Sequence, residues 1–162
     1  MSKEFTFNGQ RPDESVEEVV KNHPYVLFFP GLKAVVLLAV PVGIFIFYGA
    51  NIVFSVATFL CLILAFAIFA KAYYIYSASV LIVTSERILY LDQLNFFKRK
   101  IIESELNKVQ DIASSTEGMV KTTLNFGDLI IRTAGAGQGN EIIIKNISDP
   151  YSIQQEITKR IR

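Results

Sequence analysis

Few residues in this chain have the chemistry of catalysis. The only histidine is His23, next to Pro24, and the only cysteine is Cys61, in the middle of an apolar run. A metal centre usually needs three or four ligands, which this pair does not supply. A Ser-His-Asp set would require His23 to reach residues far along the chain. His23 reads instead as an interfacial residue, and Cys61 as a small apolar filler. Glu103 and Glu105 are paired carboxylates, but on a strand end or loop they read as solvated. The run Gly135-Ala136-Gly137-Gln138-Gly139-Asn140 invites a nucleotide reading. No Lys-Ser/Thr follows it, and it leads from strand to strand where a dinucleotide fingerprint needs a helix. It reads as a hairpin loop. No catalytic residue, metal or cofactor is expected, and the chain is not read as an enzyme.

Binding chemistry is better represented. Phe96-Phe97-Lys98-Arg99-Lys100 sets three adjacent cations beside two aromatics. Such a cluster suits anionic headgroups, each basic residue contributing about 1 kcal/mol near a charged leaflet. Residues alternate along a strand, so the three cations cannot all face one way. The competing reading is a solvated edge strand whose charges discourage aggregation. A nucleic-acid footprint is not expected: from Lys71 onward twelve Lys/Arg stand against ten Asp/Glu.

The elements that would position this cluster follow from the distribution of charge. The chain has 162 residues, 51% hydrophobic and 19% charged. From Ala34 to Ala70 no Asp, Glu, Lys, Arg or His occurs in 37 residues. One bilayer span takes about 20. Two helices are therefore expected, about 26–48 and 52–72, turning at Tyr48-Gly49-Ala50-Asn51. Pro41 lies mid-span and is expected to kink the first helix. Lys33, Lys71, Tyr73 and Tyr74 form the basic and aromatic fringe of an interface. The connecting turn carries no charge, whereas basic residues flank both outer ends. By the positive-inside rule both termini then face the cytoplasm, in a multi-pass protein of the cell (inner) membrane. No charged group lies mid-span, so an ion pathway or proton relay is not expected.

Residues 1–25 read as a polar N-terminal segment. The Ser-x-x-Glu spacing at Ser15 and Glu18 suggests a capping box, hence a short helix from Ser15 to about Asn22, ended by His23-Pro24. From residue 76 to 162 the periodicity is that of short strands. Seven are expected: Ser79–Thr84, Arg87–Leu91, Phe96–Glu103, Val109–Ser115, about Val120–Leu124, Leu129–Thr133 and Glu141–Lys145. A helix follows, capped by Asp149 with Pro150 in its first turn. Its Ile153, Ile157 and Ile161 form an apolar stripe that should cover one end or face of the sheets.

Seven strands and a C-terminal helix make a pleckstrin-homology layout. The residues resemble those of bacterial membrane-anchored PH-like proteins, the YdbS-like bacterial PH domain family, formerly a domain of unknown function. The likeness rests on Tyr76–Tyr90 (YSASVLIVTSERILY, with a Thr-x-x-Arg pair at Thr84 and Arg87), on Val109-Gln110-Asp111-Ile112, and on Leu124–Ala134 (LNFGDLIIRTA). The stretch Glu17–Pro24 before two spans is similar as well. The resemblance implies an α+β membrane protein: a two-helix transmembrane hairpin, then a PH-like barrel or sandwich with a C-terminal helix. It brings no catalytic residues.

The expected function is a membrane-anchored binding or scaffolding module. It would recruit a protein partner, with Phe96, Phe97, Lys98, Arg99 and Lys100 as candidate lipid or partner contacts. The alternative is a structural protein that self-associates through its sheets into a ring or lattice.

Overall fold

The computed structural model describes residues 9–49, 51–134 and 141–161. Its first regular element is a strand, β1 (Val16–Lys21), where the capping-box spacing predicts a helix. The Ser15 hydroxyl donates to the Glu17 carboxylate instead of capping a turn. The β-branched Val16, Val19 and Val20 suit a pleated surface. They pair antiparallel with β2 (Val80–Thr84), Lys21 opposite Val80 and Val16 opposite Thr84.

Between these two paired strands the chain makes its long apolar excursion. A 3-10 turn at Pro24–Leu27 leads into α1 (Phe28–Tyr48), and α2 (Ile52–Ala78) returns. At 1.5 Å per residue the two helices are about 32 and 40 Å long. Pro41 lies inside α1 without ending it. Asn51 caps α2, its side-chain oxygen accepting from the Val53 N–H at 3.0 Å. The second helix runs past the expected boundary near residue 72, so Tyr73, Tyr74 and Tyr76 are helical. The helices pack on each other, yet α1 buries no residue and α2 only Ala65.

The rest is a two-sheet sandwich, and among the described residues the sheets do not close into a barrel. One sheet has the order β1-β2-β3-β4, with β3 (Arg87–Asn95) and β4 (Lys98–Glu105). The other has the order β5-β6-β7: β5 (Val109–Ser115), β6 (Phe126–Thr133) and β7 (Glu141–Ser148). All pairings are antiparallel. The strand expected at Val120–Leu124 is a short helix, α3 (Met119–Thr123), entered through Gly118 at φ 100°. Among the described residues the strands still number seven, because β1 takes its place. β3 continues through Asp92–Asn95, which leaves Phe96-Phe97 as a two-residue turn rather than the start of the next strand.

The core lies between the sheets and beneath α4 (Pro150–Ile161). Ile153 and Ile157 are buried with Leu81, Ile88, Leu129 and Ile144, and Ile161 packs against the same cluster. The predicted stripe thus lies over the second sheet, against β5 and β6. Asp149 caps α4 by accepting from the Ser152 N–H at 3.3 Å. The loop expected at Gly135–Asn140 lies outside the described residues.

Candidate functional site

The sandwich has two unlike ends. At the hairpin end, β1 leads into α1 and β2 leaves α2, with the ladder position Lys21–Val80 between them. At the far end lie the Ser85-Glu86 turn and the 3-10 turn Leu106–Lys108, joined by a bond from the Leu106 N–H to the Glu86 carbonyl at 3.0 Å.

The sequence-predicted cluster falls at the hairpin end. Phe96 stacks on Tyr74 of α2 with ring centroids 5.2 Å apart. That contact sets the β3–β4 turn beside the last turns of α2. Phe97, at the tip, is fully exposed, and Phe96 is half exposed. Lys98, Arg99 and Lys100 follow on β4, all exposed, opposite Asn95, Gln93 and Asp92. Alternation along the strand puts Lys98 and Lys100 on one face and Arg99 on the other. Lys71 and Tyr73 are exposed on α2 nearby in sequence, and Lys33 is exposed on α1.

A second junction was not anticipated. Phe126 is buried, stacks on His23 at 4.7 Å and meets Tyr25 in a tilted contact at 5.1 Å, and Tyr25 stacks in turn on Phe28 of α1. His23 also accepts from the Tyr25 N–H through Nδ1 at 3.2 Å, and its own N–H donates to the Asn146 carbonyl at 2.6 Å. The histidine is therefore a joint between α1 and the second sheet. Its neighbours explain the Leu124–Ala134 stretch. Asn125 takes a left-handed φ of 49°, Gly127 sits where a Cβ would run into the Ser115 carbonyl, and Asp128 holds both Lys121 (3.1 Å) and the Asn146 N–H (2.9 Å). Each ring stack is worth about 0.5–1.5 kcal/mol beyond its burial.

The Thr-x-x-Arg pair holds the N-terminal segment. The Thr84 hydroxyl donates to the Arg87 carbonyl at 2.8 Å and accepts from the Arg87 N–H at 3.0 Å, which shapes the β2–β3 turn. The buried Arg87 guanidinium grips Glu14 through two bonds of 2.8 Å, donates to the Gly9 carbonyl at 2.8 Å, and binds Glu103. The Glu14 side chain is fully buried. Its hydrogen bonds from Arg87 hold its pKa down to about 2, against the cost of burial. Arg87 is held above its ordinary value by hydrogen bonds to Glu14 and Glu103. Glu103 and Glu105 are thus not simply solvated. Glu103 binds Arg87, and Glu105 pairs with Lys108 at 2.9 Å.

Ion pairs mark the far end: Arg11–Glu86 at 2.8 Å and Arg160–Glu17 at 3.1 Å. With Leu106, Asn107 and Ile161, the residues Arg11, Glu86, Glu105 and Arg160 line a wide polar depression of about 500 Å³. Tyr90, in the core, has its phenol pushed up to about 12 by burial.

Residues 28–161 match the family model described as bacterial PH domain. Among solved structures, the chain is similar to a DUF1696 family protein with a pleckstrin-homology domain from Shewanella loihica PV-4. The identity is 15% and the TM-score 0.40, over 52% of this chain and 71% of that one. No curated protein matches the chain.

Proposed function

Because the chain belongs to the bacterial PH domain family, we propose that it is a membrane-anchored binding module whose Phe96–Lys100 turn engages anionic lipid at the cytoplasmic surface. The observation that carries the reading is the Tyr74–Phe96 stack. Counted from Ile52, about 20 residues cross the hydrocarbon and end near Lys71. Tyr74 then stands one turn further, at headgroup depth, where tyrosine side chains concentrate. The stacked turn lies at that depth too, with Phe97 free to enter the acyl boundary and three cations behind it.

Several features support the anchoring. Both long helices expose large apolar side chains, such as Phe47 at 87% and Phe66 at 72%. Surfaces of that kind are not kept in water by monomeric soluble proteins. Pairing of β1 with β2 requires both ends of the hairpin to lie on one side of whatever it crosses. The excess of Lys and Arg at those ends favours the cytoplasmic side of the inner membrane. The far end, with its polar depression, is then free to receive a protein partner.

The test uses the full chain reconstituted in lipid nanodiscs, with Cys61→Ala and an environment-sensitive fluorophore on Phe97→Cys. Its emission should shift to shorter wavelength when anionic lipid replaces zwitterionic lipid. The triple substitution Lys98→Glu, Arg99→Glu, Lys100→Glu should abolish that shift, as should high salt. An emission indifferent to lipid charge would refute lipid recognition by this turn.

Lateral self-assembly is a second reading. β4 and β5 are terminal strands in the sheets described, and such edges are templates for pairing. A strict monomer by native mass measurement in detergent would exclude it.

A further inference from the structure

We propose that the short helix α3 is a second lipid contact, so that the domain rests on the bilayer at two points flanking the hairpin. The inference rests on the anchored reading above.

The side chains that point to it are Met119, exposed at 86%, with Val120 and Leu124, each exposed at nearly half. On a helix of 3.6 residues per turn, these three lie within about 140° of arc. Lys121 is drawn the other way, to Asp128 of β6. The helix buries none of its own residues. An apolar face of this kind has no counterpart in the sandwich core, which is complete without it.

Location identifies the occupant. Phe126, two residues beyond Leu124, meets Tyr25 in a tilted ring contact, and Tyr25 stacks on Phe28 in the first turn of α1. The β5–β6 connection that carries α3 thus lies at the hairpin end of the sandwich. Phe96 reaches α2 from the first sheet, and α3 packs on β6 of the second, beside the start of that strand. The opposite end of the sandwich presents ion pairs instead. Short amphipathic elements with such a face lie at the boundary of headgroups and acyl chains. The occupant is therefore the bilayer the hairpin crosses, rather than a second copy or a protein.

The experiment places a nitrobenzoxadiazole probe on single cysteines in the full chain, with Cys61→Ala. Met119→Cys, Phe97→Cys and Asn107→Cys are compared in mixed zwitterionic and anionic vesicles. Quenching is read from lipids carrying a nitroxide high on the acyl chain, and separately from aqueous iodide. The expected result is nitroxide quenching at Met119 and Phe97, and iodide quenching alone at Asn107, at the far end. Iodide quenching at Met119 with nitroxide quenching at Phe97 would overturn the inference and leave the anchored reading standing. Iodide quenching at both would overturn the two together. A Met119 probe shielded from both quenchers would mean that protein covers α3, and would also overturn it.

Discussion

Arg87 shows how much one side chain can organise. It lies buried among two carboxylates and a backbone carbonyl, and the Glu14 carboxylate it holds has no exposure of its own. Removing one partner of such a pair leaves a buried charge uncompensated, at a cost of roughly 3–5 kcal/mol. Arg87→Ala should therefore lower the thermal midpoint of the detergent-solubilised chain sharply. Arg87→Lys should rescue little of the loss, because an ammonium cannot reproduce the forked contact. Acid should act through the same pair. Glu14 has its folded pKa depressed from 4.5 to about 2. Its contribution is whole above about 4.5 and fades as the pH falls through about 2. Glu14→Gln should flatten that limb of a stability–pH profile; an unchanged limb would assign it to other carboxylates. The sequence carries the Thr84–Arg87 spacing plainly. It does not reveal Glu14 as the partner, because the two are 73 positions apart and meet only when β1 and β2 pair.

Among the elements, those with a strong period were legible. The 37 uncharged residues gave two helices, and the isoleucine stripe gave α4 together with the face it covers. Ile157→Ala should cost about 2–5 kcal/mol, whereas Ile143→Ala, on an exposed position of β7, should cost far less. Chemical denaturation of the two variants side by side would check this, and equal losses would contradict the packing. The misreadings were local. Ser15 and Glu18 have capping-box spacing, but the open edge of β2 recruits the segment as a strand. Val120–Leu124 has strand-like composition, but Gly118 turns the chain and the Lys121–Asp128 pair secures a helix. Both cases set a weak local preference against tertiary contacts that no short window contains. The basic and aromatic cluster at Phe96–Lys100 was visible as composition, while its stack on Tyr74 came only with the fold.

Across the whole molecule, the sandwich is polarised. Aromatic and apolar side chains gather where the hairpin emerges, and ion pairs gather opposite. The β1–β2 pair spans the hairpin, with Lys21 and Val80 59 positions apart yet adjacent in the ladder. That arrangement imposes an order in time. On the ribosome β1 emerges first and stays without its neighbour while both helices are made. Stalled nascent chains ending before Val80 should therefore be cut by protease within Val16–Lys21. Chains extended past α4 should resist, and early resistance would rule out the sequence of events. Under the proposed anchoring, a copy that inserted only one helix would leave β1 and β2 on opposite sides of the bilayer, where no sheet can form. On that reading, completion of the fold would report correct insertion, since a copy inserted wrongly would keep an unfinished sheet open to protease.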